Sequence, residues 1–514
     1  MLVFAFSHQT AHGPHWFYFN SDPDYFYLCD SITVAQFKVP DCVLHPGTPV
    51  TVLGAFVMRI VNLFIGKRPF IEDVLAQPER YLFWMNAALL YPLAGLSLYS
   101  GWRVMRSSGC YLPAFLLQLA PFLSFTVMDS LATFKPEPMQ VWASLLLGMW
   151  LIVDACTPVS GEETEDSQRQ LKRRAIGYGV LVGFGLAVKF TSIPYGLLPL
   201  LVLPFTRKVW ITYGVACIGS FLFFVLPALP RWKWFYKNLV LVSSHSGLYG
   251  AGEEAKFDLN LYYTNSKQLL LEEPWFACVL GVSILAALVG FFVFKNRSAE
   301  RSRALHFLAA LTCIEIIHVI LTAKQPAVRY LVPSYTLAGA NFALMYQLFK
   351  KDGVACGWDA FKAGYGFVAT LFAAWAITQS NEIRAKELQK TQARLAFCEK
   401  MEPEIKAGHM VFGHVASALE NAVNLGNSGY SRSRYNKEVA AVYPALVFYQ
   451  VPQHKFIKGI GYLSPQELAD LCKAQPMKML ADADWAKLNC PPGFELKLIE
   501  KFTDESYFEI VEKK

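Results

Sequence analysis

The chain has 514 residues, 54% of them hydrophobic and 17% charged, with a formal net charge of +7. Soluble proteins of this size carry about a quarter charged residues, so the composition excludes an ordinary soluble enzyme and reads as a multi-spanning membrane protein. The basic excess needs no nucleic acid, because Lys and Arg collect in cytoplasmic loops, and the 15% aromatic content suits interfacial belts.

The front of the chain holds an unusual acidic feature. Asp22-Pro23-Asp24-Tyr25 and then His45-Pro46 stand just ahead of the apolar series. Two carboxylates held two residues apart beside membrane-embedded chain are costly unless water, a metal or a substrate receives them. Asp-Pro and His-Pro are also ordinary turn formers, so later segments must decide. Residues 1–6 are too short to span, His8, His12 and His15 follow closely, and no signal-peptide pattern is present. Either the first helix is very short or the chain begins inside a longer product; the second is the expectation.

Ten apolar runs are predicted to span, at residues 81–102, 110–128, 139–156, 175–192, 193–205, 209–229, 276–294, 304–322, 330–349 and 361–379. The two around Pro194 are short. An eleventh, 50–65, is about 16 residues long and contains Arg59 and Asn62, which favours an interfacial helix over a crossing. With 50–65 not crossing and His45 outside, the basic groups Arg103/Arg106, Lys172–Arg174, Arg207-Lys208, 295–303 and Lys350-Lys351 all fall in the cytoplasm, as the positive-inside rule expects. The outer loops are then 16–50, 129–138, 230–275 and 323–329, and the C-terminal tail is outside too. Residues 157–174 read as a solvated loop.

The expected fold class is mainly α: a polytopic membrane helical bundle of about 10–11 spans over residues 1–379, followed by a small soluble extracytoplasmic α/β domain over 380–514. In that tail, 381–406 is charged and helix-prone. Met410-Val411-Phe412 and 445–451 read as strands and 417–423 as a helix. Ser464-Pro465-Gln466-Glu467 is a capping box opening a helix to about Ala474. Strands near 494–498 and 507–511 flank a turn at Thr503-Asp504-Glu505. The 11 Cys are scattered without a CxxC, so neither a zinc site nor a disulfide framework is indicated, although pairing within Cys398, Cys472 and Cys490 is left open.

The outward-facing loops collect a specific set of charges. The first gives Asp22, Asp24, Asp30 and His45; the second gives Asp129 and Lys135-Pro136-Glu137-Pro138. Near the outer helix ends lie Lys189, Lys324 and Arg329-Tyr330. Carboxylates suit a general base or a divalent metal, and Lys and Arg suit a phosphate. Plainer readings exist for each: Lys189 snorkels, Asp129 caps a helix, Lys135–Pro138 is a turn, Arg329 anchors at the interface, and Asp30 and His45 are structural. The set is harder to dismiss together, because a topology chosen from other residues places it on one side. Glu315 and His318 sit one turn apart inside a span and should face the bundle interior or a cavity.

In order, these motifs resemble a membrane glycosyltransferase of the C-type fold (GT-C), the group holding protein O-mannosyltransferases and the lipid A aminoarabinose transferases. An acidic first loop (Asp22-Pro23-Asp24-Tyr25) is followed by His45-Pro46-Gly47-Thr48-Pro49, similar to the His-Pro-Pro of those transferases but with Gly47 in place of the second Pro. Then come Asp129 and Lys135-Pro136-Glu137, the Gly-rich run from Gly183 to Lys189, and Lys324 with Arg329-Tyr330-Leu331-Val332-Pro333, like the family's Arg-Tyr-Leu-x-Pro. The resemblance implies a polyprenyl-phosphate sugar donor held in membrane lipid and a glycan, lipid or protein acceptor. A hexosyl or pentosyl group would move with inversion at the extracytoplasmic face of a plasma (inner) membrane or endomembrane. It gives Asp24, or Asp22, the general-base role. Glu137 and Asp129 would orient acceptor or metal, Lys324 and Arg329 would hold the phosphate with Lys189 beside them, and His45 and Tyr330 would line the substrate site. A divalent cation on Asp22 and Asp24 is the only cofactor it allows for. The rival expectation is a transporter or flippase for a lipid-linked or anionic solute, against which no internal symmetry of two related halves is visible. A subunit that recruits partners through its tail would leave the clustered charges without a purpose.

Overall fold

In the computed structural model, the described residues are 2–17, 24–43, 47–157, 165–245, 252, 254, 258–293, 298–350, 360–413, 418–429 and 431–513. Asp22 and His45 lie outside them. The chain divides into two compact units, one of Met1–Ala5, Val43–Val50 and Leu89–Asn381, the other of Phe6–Cys42, Thr51–Ala88 and Glu382–Lys514.

Among the described residues six helices are long and apolar enough to cross a membrane: Thr48–Ile65, Pro78–Ser108, Pro136–Cys156, Arg207–Ser244, Pro274–Val293 and Ala299–Ala323. The chain is an integral membrane protein. Thr48–Ile65 differs from the expected interfacial helix. Thr48 and Pro49 open it two residues earlier, proline being suited to the first helical turn, and its 18 residues span about 27 Å at 1.5 Å each. Residues 165–174, read as loop, are the first turns of the helix Glu165–Val188, with Glu165 and Asp166 at its positive end. The region 230–275 contains the helices Trp232–Ser244 and Leu259–Glu272.

In the first unit the helices differ in how much surface they give to lipid. The apolar window of Arg207–Ser244 is 17% buried, whereas that of Pro136–Cys156 is 72% buried. Val332–Phe349 is buried almost throughout, polar residues included, so it is the central post of this bundle. The Gly-rich helix Glu165–Val188 packs on Arg207–Val225 at very short range. A Cβ on Gly183 would stand 2.3 Å from the Cys217 carbonyl oxygen, and one on Gly179 would stand 2.7 Å from that of Tyr213. Small residues here let two backbones touch, as in membrane helix pairs generally.

The second unit is built on a seven-stranded sheet: β1 (Met410–Phe412), β2 (Val447–Gln450), β3 (Lys455–Lys458), β4 (Gly461–Leu463), β5 (Lys478–Asp482), β6 (Phe494–Phe502) and β7 (Glu505–Glu512), in spatial order β4-β3-β2-β1-β5-β7-β6. β1 runs parallel to β2 and β5, with Val411 opposite both Val447 and Met479; the remaining pairs are antiparallel. Val411, Val447, Leu468, Met479, Phe508 and Ile510 form its core. The helix Pro465–Ala474 carries the expected capping box of Ser464 and Glu467. Cys398, Cys472 and Cys490 form no disulfide among the described residues.

The acidic front segment packs into this unit. The helix Asp24–Ala35 lies against Leu419–Ser428, where Gly426 admits the Tyr25 carbonyl at a distance that leaves no room for a Cβ. Asp30 Oδ1 accepts from the main-chain N–H of Asp41 at 2.6 Å, and Asp41 pairs with Arg434 at 2.8 Å.

Candidate functional site

In the first unit, Pro136 at the N-terminus opens the helix Pro136–Cys156 and sets Glu137 in its first turn, with Lys135 as the preceding cap residue. The helix Glu165–Val188 stops at Lys189, whose extended backbone begins the short 3₁₀ helix Phe190–Gly196. That break turns the lysine inward. Lys189 Nζ donates to Glu137 Oε1 at 2.5 Å, and both side chains are buried, at 6% and 5% exposure. One turn on, Gln140 donates to Thr191 Oγ1 at 2.7 Å and Ser192 Oγ at 3.3 Å. Glu137 and Gln140, on one helical face, thus grip both the lysine and the segment that carries it.

The 3₁₀ turn Val328–Leu331 supplies the other side. The Tyr330 ring centroid lies 5.2 Å from Lys189 Nζ and 5.6 Å from Arg329 Cζ, within cation–π range of both. Lys189, Lys135 and Arg329 all act electrostatically on Glu137, whose Oε2 has no hydrogen-bond partner among the described residues. Asp129 is half-buried on the helix Phe125–Ser130, which packs on this turn. Lys324 goes elsewhere: its ammonium donates to the Ser243 carbonyl. Gly47 follows His45-Pro46 at φ +65°, a conformation closed to proline, and its N–H donates to the Val188 carbonyl at 3.2 Å, next to Lys189. The departure from His-Pro-Pro therefore has a backbone cause.

Asp24 belongs to the second unit. It is fully buried, the first residue of its helix, and its Oδ2 lies 2.6 Å from His15 Nδ1. Gln9 Nε2, a donor, lies 2.8 Å from His15 Nε2. That ring nitrogen must accept, so the His15 proton sits on Nδ1 and is donated to Asp24. Glu79 takes the His15 main-chain N–H at 2.8 Å and the Tyr25 hydroxyl at 2.7 Å. Among the described residues no three His, Cys, Asp or Glu side chains converge as metal ligands; Asp22 of the expected pair lies outside them.

Gln140, His15 and Glu79 were not singled out from the sequence. Gln140 was the most accessible of them, lying three residues after Glu137 on a helix that two prolines announce.

The fold is that of a polytopic membrane helical protein with an α/β unit. No protein-family model and no curated protein sequence matches the chain. Among solved structures it is similar to the crystal structure of ArnT from Cupriavidus metallidurans bound to undecaprenyl phosphate, with a TM-score of 0.53 at 13% identity over 99% of this chain and 96% of that one. It is equally similar to the apo state of the same protein, with a TM-score of 0.52 at 11% identity over the same shares.

Proposed function

We propose that the chain is a membrane glycosyltransferase that moves a sugar from a polyprenyl-phosphate carrier to an acceptor hydroxyl at the extracytoplasmic face. One observation carries the reading: the buried Lys189 is held on Glu137 beside Tyr330, whose ring also meets the Arg329 guanidinium. Two cations gathered at one ring suit a departing phosphate. The ArnT structure of the same fold is bound to undecaprenyl phosphate, which makes a lipid phosphate the natural anion.

In this reading the acceptor O–H attacks the anomeric carbon and its proton passes to Asp24, or to Asp22. The bond from that carbon to the phosphate oxygen breaks, the phosphate keeps the electron pair, and the configuration inverts. Lys189 and Arg329 neutralise the leaving group. Tyr330 holds the two cations by its ring face. Glu137 aims Lys189, and Asp129 and His45 serve the acceptor side. In this reading the chemistry and residues 380–514 lie on the outer face, which labelling of cysteines placed at positions 24 and 329 checks.

Purified protein in proteoliposomes is given a panel of radiolabelled polyprenyl-phosphate sugars, with and without chelator. Transfer of label to an acceptor with release of polyprenyl phosphate is expected. Movement of label across the bilayer with no glycosidic bond formed would replace the reading with the transporter alternative. The chelator arm reads metal dependence directly.

A further inference from the structure

Resting on the phosphate reading of Lys189 and Arg329, we infer that His318 is a positioning residue that fixes both cation-bearing 3₁₀ segments against one helix. His318 is 1% exposed, inside the helix Ala299–Ala323. Its Nδ1 lies 2.7 Å from Ser334 Oγ and 3.3 Å from the Tyr195 hydroxyl, and that hydroxyl lies 2.5 Å from Ser334 Oγ. The imidazole packs edge-on against the Tyr195 ring at 5.3 Å.

The positions of these partners give the cluster its meaning. Tyr195 lies on the 3₁₀ helix Phe190–Gly196 that Lys189 begins, and Ser334 lies in the first turn of the central helix Val332–Phe349, which continues the turn Val328–Leu331 of Arg329. One buried ring therefore joins the two segments that carry these cations. It reinforces the Tyr195–Ser334 hydrogen bond and the Lys189–Tyr330 ring contact, which also set one segment against the other. A polar network inside a membrane bundle is costly unless it is satisfied. Here it joins two short irregular segments, where backbone exists at membrane depth only with protein partners. Packing alone would have been served by a Leu or Phe at position 318.

The test measures binding of undecaprenyl phosphate to the full-length protein in detergent, so that it reads the site without chemistry. Tyr195→Phe and Ser334→Ala each remove a hydroxyl and leave the core volume nearly unchanged; His318→Gln keeps a hydrogen-bonding side chain. Losing one or two such bonds is expected to weaken binding about tenfold for Tyr195→Phe and His318→Ala, with partial recovery in His318→Gln and an unchanged unfolding midpoint for Tyr195→Phe. Combined with Lys189→Gln, His318→Ala should add little beyond the lysine change alone, because it acts through that lysine. Full binding by Tyr195→Phe, or losses that simply add to that of Lys189→Gln, would overturn the inference. A wild-type protein that does not bind undecaprenyl phosphate would instead overturn the functional reading beneath it.

Discussion

The acidic segment of residues 24–41 and the pair Glu137–Lys189 both bury charge, but they spend it differently. Asp30 gives an oxygen to the main chain of Asp41, and Asp41 is matched by Arg434. Asp24 accepts from a histidine whose proton its own neighbour Gln9 fixes. These carboxylates serve the scaffold through partners in their own unit. Glu137 instead holds a lysine at the break of a helix, against the Tyr330 ring that Arg329 also meets. Charge gathered at a helix break beside a second cation marks a candidate ligand site.

The largest expected effect falls on Asp24, the member of the first group proposed to act as a base. Asp24→Asn should lower sugar transfer by about 10²–10⁴-fold, the range of a positioned general base, with little change in thermal unfolding. Full transfer would return Asp24 to the scaffolding class of Asp30. Next, Lys189→Ala removes the ammonium partner of the buried Glu137 and should cost about 3–5 kcal/mol, read as a lower unfolding midpoint in detergent. The double change Glu137→Gln with Lys189→Met should recover most of that stability and none of the transfer.

Asp73 extends the scaffolding group. Burial pushes its carboxyl up, but hydrogen bonds from Tyr81 and the main chain at Lys67, together with Arg80, outweigh it and leave the carboxyl below its usual 3.8. A folded value below the unfolded one means that the contribution is present above pH about 4 and is lost as pH falls through the folded value. Asp73→Asn should cost about 1.5–3 kcal/mol at neutral pH and flatten the acid limb of the stability curve; an unchanged limb would remove Asp73 from that group. Gly183→Ala should cost about 1–3 kcal/mol by pushing on the Cys217 carbonyl, whereas Gly196→Ala, with no atom nearer than 3.8 Å, should change little. Ser464→Ala removes a capping box and should cost about 1 kcal/mol, a calibration within the second unit.

Much of the fold could be read from the sequence because membrane spans, proline-opened helices and the Ser464 capping box are local signals. β3 and β4 could not, since 455–463 gives two strands of three or four residues around Gly459 and Gly461 with no sustained alternation. The continuity of Ala360–Glu399 was also hidden. Its first half is apolar and its second charged, so composition changes where the helix does not. In the site, Glu137, Lys189 and Arg329 stood out as charges beside apolar runs. Their pairing joins residues 52 apart and depends on a helix that ends at Lys189. His318 was visible as a misplaced polar group, but Tyr195 and Ser334 look like ordinary residues of apolar segments until tertiary structure joins them.

The most direct measurement is sugar transfer from a polyprenyl-phosphate donor by the wild-type protein and by Lys189→Gln, Arg329→Gln and their combination, with donor concentration varied. The account expects wild-type transfer, a raised KM for the donor in each single variant, and loss of transfer in the pair. A doubly substituted protein that still transfers sugar at the wild-type KM and kcat would contradict it.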